Sequence, residues 1–341
     1  MAIRVGQANR NPIPDPDAVS EERNIIARKV SDRFRREKPR FVRQLISVGV
    51  ARASSRVAWS LPDSVRYWLA DRLGDLLYVL TPGYRLNVRS NLGHVHASIG
   101  RPPPTTEDVH NVFRISSRNW ADLLVVPGRS ERQFRDEVLL TPDSKDHLDS
   151  ALARGKGCIL ITAHLGAFDY IAHYLHACGY TLSIVIGRTT ARLVFDGVTY
   201  LRQANGLSLV EATPSGIRKV IQTVKNGGCA VIVSDRDFFQ NGLDVNFFGV
   251  DTSLPPGAVR IARDTGASIV PVYGQRVDGG HELSIHEPFI VERTSNLQDD
   301  LRTGMARVVS SLELALARVP DQWVMFQSVW PQRRVDDVRK S

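Results

Sequence analysis

The stretch ILITAHLGAFD, residues 159–169, decides the fold of the chain. Its apolar run is continuous rather than alternating, which is typical of a strand buried on both faces of a parallel sheet. Gly166 breaks the strand, and residues 168–177 are predicted to form a helix. His164 is then expected at the carboxyl end of a strand, where open α/β sheets bind their ligands.

His164 and Asp169 form the first candidate site. Asp169 is expected in the first turn of the helix, close enough to orient the imidazole, which is an arrangement suited to general-base catalysis. No serine or cysteine nucleophile is evident beside the histidine, so the base is expected to act on a hydroxyl of the substrate. The alternative is a packed or capping histidine, and the strand end followed by Gly166 argues against it.

Outward from this strand, apolar runs alternate with helical patterns. The predicted strands are Cys158–Thr162, Leu182–Ile186, Leu207–Val210, Ala230–Ser234, Val245–Phe248 and Ser268–Tyr273. This alternation predicts an α/β fold with a mainly parallel central sheet flanked by helices. The predicted division is a disordered basic extension (1–38), a helical region (39–140), an α/β core (141–331) and a flexible tail (332–341).

Amphipathic helices are expected in the region before the core. Val65, Leu69, Leu73, Leu76 and Leu80 follow helical spacing in one of them. A later helix is expected to begin at an N-cap formed by Thr106 and to end near Val125.

The chain of 341 residues has a net charge of +8, which favours an anionic partner, either a membrane surface or a nucleic acid. Arginines beside the apolar side of the N-terminal helices suit an anionic membrane. The alternative is that these helices pack on the core with their arginines in water. No signal peptide is expected, and no stretch reaches the roughly 20 apolar residues of a membrane span.

Two further clusters follow predicted strands. Ser234-Asp235-Arg236-Asp237 comes after an apolar run, and Arg236 is a candidate to hold a phosphate or an oxyanion. The alternative is a surface group of ion pairs. Residues 246–257 are predicted to form a turn-rich loop that opens a helix at Gly257, whose backbone N–H groups suit an anion, or else a plain connection.

Several motifs of other enzyme classes are missing from the sequence. It contains neither G-x-G-x-x-G nor a P-loop, which argues against nucleotide-dependent redox chemistry and phosphoryl transfer. It also lacks the G-x-S-x-G of serine hydrolases.

Taken in order, six segments resemble those of one known family. They are Arg85, Arg89, Asn91 and Leu92; His164 and Asp169; Arg202 and Gly206; Asp235-Arg236-Asp237 with Phe247-Phe248-Gly249; Pro255 through Pro271; and Pro320-Asp321-Gln322-Trp323 with Gln327-Ser328-Val329-Trp330. The chain is similar to the bacterial lysophospholipid acyltransferases of the lipid A biosynthesis type, and its tail is closest to the phosphatidylinositol mannoside branch. It departs from them in a weakly apolar, arginine-bearing N-terminal segment, and in Val250 and Asp251 where some members carry a glutamate.

The resemblance implies an O-acyltransferase that moves a fatty acyl group from acyl-CoA or acyl-ACP to a hydroxyl of a membrane lipid. It implies His164 as general base with Asp169. It also implies substrate contacts, for which the candidates are Arg236, Asp235, Asp237, Arg202 and Gly257.

It implies no metal and no cofactor. The expected partners are the acyl donor, a glycolipid or phospholipid acceptor and an anionic membrane surface, and no nucleic acid. The expected location is peripheral, on the cytoplasmic face of the plasma (inner) membrane. The alternatives left by the residues are a non-catalytic basic protein that binds membrane or nucleic acid, and a thioester hydrolase.

Overall fold

The computed structural model describes residues 44–187, 192–238 and 240–330. The predicted basic extension (1–38) and flexible tail (332–341) lie outside the described residues.

The chain alternates helices and strands after an all-helical beginning. The helices are α1 (44–60), α2 (Asp63–Leu80), α3 (Pro82–Ser98), α4 (Thr106–Val125), α5 (Glu131–Asp136), α6 (Ser144–Ala153), α7 (Phe168–Ala177), α8 (Arg192–Gln203), α9 (Pro214–Lys225), α10 (Gly257–Thr265) and α11 (Leu297–Arg318). The strands are β1 (Val138–Leu140), β2 (Cys158–Thr162), β3 (Leu182–Ile186), β4 (Ser208–Glu211), β5 (Cys229–Val233), β6 (Leu243–Phe247), β7 (Val250–Leu254), β8 (Ser268–Val277) and β9 (Gly280–Ile285).

Seven strands form the central sheet, in the order β1-β9-β8-β2-β5-β3-β4. Every neighbouring pair is parallel except β8 and β9, which form a hairpin. Successive residues of a strand point to opposite faces. Ile159 and Ile161 of β2 therefore join the core beneath α9, α10 and α11, whereas Leu160 joins the core that includes α6 and α7. The predicted α/β fold with a mainly parallel, helix-flanked sheet is confirmed.

Helices α2, α3 and α4 pack together in a helical layer, whereas α1 lies against α8. Helix α2 lies against α4 so closely that a Cβ on Gly74 would come within 2.8 Å of the Arg114 backbone. Helix α4 begins with a capping box, in which Thr105 and Asp108 exchange hydrogen bonds. Thr105 is thus the N-cap, and the prediction of Thr106 is wrong by one residue. Within the three described ranges, no helix is long and apolar enough to cross a membrane.

The predicted strand Val245–Phe248 does not join the central sheet. Strands β6 and β7 pair with each other in a separate antiparallel hairpin, and β7 occupies much of the predicted loop over 246–257. The hairpin turns at Phe248 and Gly249, whose φ angles of 52° and 76° fit a two-residue turn of the primed type. Strand β1 also lies in the stretch that was predicted to be helical.

Candidate active site

Two neighbouring strands bring His164 and Asp235 together. His164 follows β2 and Asp235 follows β5, and these strands pair in parallel with Thr162 beside Val233. Because parallel strands end at the same edge of a sheet, the residues that follow them meet there. His164 Nδ1 lies 2.9 Å from Asp235 Oδ1, and the backbone N–H of His164 donates to Asp235 Oδ2 at 2.8 Å.

The protonation of this pair follows from its surroundings. Asp235 is completely buried, and burial by itself would raise the pKa of its carboxyl. The charge of His164 and the N–H donors of His164 and Trp323 outweigh burial and lower that pKa below its usual value. Asp235 is therefore a carboxylate that only accepts hydrogen bonds, and in the neutral form of His164 this contact selects the tautomer with the proton on Nδ1 and the lone pair on Nε2. The imidazole is 32% exposed, which suits a base that works on a bound molecule.

Asp169 pairs with Arg202 instead of His164. It lies in the first turn of α7, as expected. Arg202 Nη2 donates to Asp169 Oδ2 at 2.8 Å, and Arg202 Nε lies 2.8 Å from Oδ1. The prediction that Asp169 orients the imidazole is wrong, because the sheet places Asp235 in that position. The guanidinium of Arg202, expected to bind substrate, is held by this ion pair.

The loop after β2 is held from several sides. Gly166 has a φ of +51°, and a Cβ at this position would lie 2.5 Å from the carbonyl oxygen of Gly274. Its carbonyl accepts from Asn119 Nδ2 of α4 at 2.6 Å, and its N–H donates to the carbonyl of Gln322 at 3.0 Å. Arg276 of β8 in turn donates from Nη2 to Asn119 Oδ1 at 2.9 Å. The helical layer, the sheet and the C-terminal segment thus all fix the loop that carries His164.

The C-terminal segment lies directly behind the pair. The N–H of Val324 donates to the carbonyl of His164 at 2.8 Å, and Trp323 Nε1 donates to Asp235 Oδ2 at 2.8 Å. Trp323 packs in a cluster with Phe247 and Trp330, whose rings stack at 5.4 Å. Three sequence motifs therefore meet at Asp235: the one that contains His164, the Asp235-Arg236-Asp237 cluster and the tail motif with Trp323.

The other predicted substrate contacts have different surroundings. Asp235 was expected to touch substrate, but it is fully buried and faces His164. Asp237 accepts from the N–H of Gly242 and from Ser253 Oγ at 2.8 and 2.9 Å, so it closes the connection into β6. Gly257 begins α10, and space is open where its Cβ would be.

Among the predicted substrate contacts, Arg236 is the one whose surroundings suit the binding of an anion. It is half-buried and lies over the ring of Phe238, 5.4 Å from the centroid. Asp235 is the charged group whose field acts on the guanidinium of Arg236. Burial lowers the pKa of Arg236 from its usual value, and the charge of Asp235 opposes this change. A bound anion would compensate for the burial of this guanidinium.

No sequence pattern assigns a role to Trp323, Asn119 or Gln322. The tail motifs drew attention to Trp323, but no spacing connects residue 323 with residue 235. Asn119 lies in a helix with no motif of its own. In the described part of the chain, no three His, Cys, Asp or Glu side chains are grouped so as to hold a metal ion.

Residues 38–332 match the family described as bacterial lipid A biosynthesis acyltransferase. A phosphatidylinositol mannoside acyltransferase of Mycobacterium tuberculosis is 24% identical over 250 residues, which are 71% of this chain and 76% of the relative. A lipid A biosynthesis acyltransferase of Haemophilus influenzae is 26% identical over 214 residues, which are 62% of this chain and 64% of the relative.

A solved structure also shows some likeness. It is the 1-acyl-sn-glycerophosphate (LPA) acyltransferase PlsC from Thermotoga maritima, 15% identical over 73% of this chain and 97% of its own. The TM-score of 0.34 is too low to establish a common fold.

The family match extends over all six segments that carry the resemblance. The expectation of an acyltransferase, similar to a phosphatidylinositol mannoside acyltransferase and a lipid A biosynthesis acyltransferase, is therefore confirmed. The chain belongs to the bacterial lipid A biosynthesis acyltransferase family.

Proposed function

We propose that the chain transfers a fatty acyl group from a thioester, acyl-CoA or acyl-ACP, to a hydroxyl of a glycolipid, with His164 as general base. The observation that carries the proposal is the contact between His164 Nδ1 and the buried carboxylate of Asp235. In the neutral imidazole, that contact places the proton on Nδ1 and leaves Nε2 at the sheet edge to accept a proton. Ser234 is buried and its hydroxyl donates to Ile232 O, so this neighbour does not serve as a nucleophile.

The proposed reaction needs one proton carrier. Nε2 of His164 takes the proton of the acceptor hydroxyl while the oxygen attacks the thioester carbon. The carbon–sulfur bond of the tetrahedral intermediate then breaks, and the imidazolium returns the proton to the thiolate, so an ester and a free thiol are formed. Asp235 stabilises the imidazolium between these two steps, as the carboxylate of a catalytic triad does. General-base catalysis of this kind contributes typically about 10²–10⁴-fold.

Arg236 is our candidate for the group that binds an anion. The phosphates of the donor, the phosphate of the acceptor and the oxyanion of the intermediate all suit a guanidinium. Its position one residue after Asp235 supports a place beside the reacting atoms. The N-terminal end of α10 at Gly257 is a weaker candidate, because a helix start is a common feature of any fold.

The acceptor we propose is a glycolipid of the phosphatidylinositol mannoside class. The support is the name of the M. tuberculosis relative together with the tail motifs of the sequence. A lipid A precursor is the second candidate, supported by the name of the H. influenzae relative.

We also propose that α1, α2 and the start of α3 bind an anionic membrane surface on its cytoplasmic side. The exposed apolar side chains here, termed the outer face, are Leu45, Ile46, Val50, Val57, Trp59, Val65, Trp68, Leu69, Leu73, Leu76, Leu77, Val79, Leu80, Tyr84 and Leu86. Helix α2 buries Arg66, Ala70 and Gly74 and turns its large apolar residues outward. An apolar face of this size, with the exposed arginines Arg52, Arg56 and Arg72 on the same helices, fits the interface of an anionic bilayer.

The test is an acyl-transfer assay with radiolabelled palmitoyl-CoA and vesicles that contain phosphatidylinositol mannosides. We expect the wild type to form a labelled lipid and His164→Ala to form none while it remains folded. His110→Ala is the matched control, because His110 also lies 2.9 Å from a carboxylate, that of Asp75, but on α4. An acyl-ACP donor is tried in parallel.

Two outcomes contradict the proposal. Labelled lipid formed by His164→Ala removes His164 from the reaction. Release of free fatty acid by the wild type in the presence of the acceptor indicates a thioester hydrolase, in which water replaces the lipid hydroxyl.

A further inference from the structure

Trp323 is a buried residue that contacts the candidate site from behind. It is 1% exposed, so it does not touch a substrate. Its only polar side-chain atom, Nε1, donates to Asp235 Oδ2 at 2.8 Å. A buried indole N–H needs an acceptor, and here that acceptor is the carboxylate that holds the candidate base.

The carboxylate of Asp235 has its two oxygens in different environments. Oδ2 accepts both the backbone N–H of His164 and the indole N–H of Trp323, each at 2.8 Å. Oδ1 accepts from His164 Nδ1 at 2.9 Å. Two donors on one oxygen, one from the loop after β2 and one from the C-terminal segment, fix the rotation of the carboxylate, and this rotation directs Oδ1 at the imidazole.

The backbone around Trp323 is held on both sides. Residues 165 and 323 form an isolated antiparallel bridge, and the carbonyl of Gln322 accepts from Gly166 N at 3.0 Å. Gln322 is fixed in turn to Arg276, whose N–H donates to Gln322 Oε1 at 2.7 Å. The indole is therefore pinned to the same loop that carries His164.

The rest of the tail is anchored to α3. Asn91 is 1% exposed, and its Nδ2 donates to the carbonyls of Met325 and Gln327 at 3.1 and 2.7 Å. Its Oδ1 accepts from Val329 N at 3.2 Å. The Asn91 segment and the tail segment of the sequence thus meet, and together they set the depth of Trp323.

We propose that Trp323 is a positioning residue for the His164–Asp235 pair, holding Oδ2 of the carboxylate so that Oδ1 accepts from the imidazole. The inference rests on the proposed function, since the pair has to act as a base for the orientation to affect a rate. The indole N–H stabilises the ionised carboxylate, so its loss raises the pKa of Asp235. Besides His164, the charged and titratable groups near Asp235 are Arg236 and Tyr273.

The variant Trp323→Phe tests the proposal, because it keeps an aromatic ring in the cluster and removes the N–H. We expect kcat to fall by about 10- to 100-fold, the range for losing a hydrogen bond to a charged group, with KM unchanged. We also expect the acid limb of the pH–kcat profile to move to higher pH by roughly 0.5–1 unit. That limb belongs to the coupled pair and not to one residue.

Trp330→Phe is the matched control. Trp330 is 3% exposed in the same aromatic cluster, and its Nε1 donates to the carbonyl of Phe247 at 3.2 Å. Both variants lose one indole N–H and part of a buried ring, so both are expected to lower the unfolding temperature. Only Trp323→Phe is expected to shift the acid limb. An unchanged limb and kcat in Trp323→Phe, or an equal shift in both variants, overturns the proposal.

A second measurement is independent of acyl transfer. In the proton NMR spectrum, the Nδ1 proton of His164 is shifted downfield by its carboxylate acceptor, and His164→Ala assigns the signal. We expect Trp323→Phe to move or broaden this signal and Trp330→Phe to leave it unchanged. If the wild type transfers no acyl group, the proposed function fails, and the NMR signal still decides whether Trp323 positions the pair. A signal that is identical in both variants overturns the positioning role.

Discussion

Two aspartates, Asp235 and Asp169, are candidates to hold the imidazole of His164, and only one of them contacts it. Asp235 accepts from His164, whereas Asp169 is held by Arg202. We expect Asp235→Asn to lower kcat by about 10²–10⁴-fold, because an amide at this position no longer holds the imidazole in the required tautomer. Asp169→Asn leaves that contact in place, so a smaller loss is expected. The measurement is kcat with the labelled thioester, alongside a circular dichroism melt for each variant.

The reverse order of severity contradicts this assignment. If Asp169→Asn is folded and as inactive as His164→Ala, whereas Asp235→Asn retains activity, then Asp169 is the partner of the base during turnover.

Arg202→Gln tests the role of the ion pair itself, because it breaks the pair and leaves the charge of Asp169 unchanged. An Arg202→Gln enzyme with wild-type kcat indicates that the pair only holds α7 and α8 together.

The sequence predicted the position of His164 at the end of a strand, and it missed Asp235 as the carboxylate that contacts the imidazole. A histidine at the end of a continuous apolar run is a local feature, and the strand that produces it was predicted with its observed bounds. The contact with Asp235 spans 71 positions and exists because β5 lies next to β2. Strand order is a property of the whole sheet, and one sequence does not specify it.

Helix α2 contributes a row of exposed leucines to the outer face, and these are the side chains we expect to bind the membrane. We expect Leu69→Glu and Leu76→Glu to weaken binding to anionic vesicles by about 10-fold or more each, since a charge replaces a side chain worth roughly 1.5–3 kcal/mol when buried. Leu69 and Leu76 are 45% and 52% exposed, so little change in the free energy of unfolding is expected. Vesicle sedimentation and urea unfolding measure the two effects.

Leu314→Glu is the control for this experiment. Leu314 is 58% exposed but lies on α11, a helix that contributes no residue to the outer face. Vesicle binding should be unaffected in this variant. Wild-type binding by both α2 variants would contradict the membrane role of the outer face, as would an equal loss in all three.

Helical spacing identified α2 but not the direction of its apolar stripe. Val65, Leu69, Leu73, Leu76 and Leu80 recur as a helix requires, yet all of them point outward. Periodicity shows that a helix has an apolar side and does not show what covers it. The hairpin of β6 and β7 was missed for a related reason, because a short apolar run is equally compatible with a central strand and with a separate hairpin.

The stability of the folded protein depends on buried polar groups that connect the helical layer to the central sheet. Arg276 of β8 donates to Asp122 of α4, which also accepts from Tyr67 of α2 at 2.7 Å. Burial raises the pKa of Tyr67 to about 12, and the charge of Asp122 adds to the effect. Removing the cation from such a network typically costs about 3–5 kcal/mol, because it leaves a buried charge unpaired. The helical layer and the sheet are therefore expected to unfold together.

Two buried histidines make this stability depend on pH. Burial lowers the pKa of His173 and of His281 from 6.5 to about 4. Neither ring nitrogen of His173 has a hydrogen-bond partner in the described structure, and its ring stacks on Phe134 at 5.5 Å. Above pH 6.5 each histidine is neutral in both the folded and the unfolded chain, so it adds no pH dependence there. Between pH 6.5 and 4 the unfolded chain binds the proton and the folded chain does not, so acid destabilises the fold.

We expect His173 alone to remove up to about 3 kcal/mol from the free energy of unfolding as the pH falls through this window. His173→Phe keeps a ring against Phe134 and cannot bind a proton, so its stability should decline less steeply. Urea unfolding of both proteins at several pH values between 7 and 4 measures the difference. A difference between the two proteins above pH 6.5, where His173 is neutral in both states, would reflect packing. If the two curves stay parallel from pH 6.5 down to pH 4, His173 contributes no pH dependence and its lowered pKa is wrong.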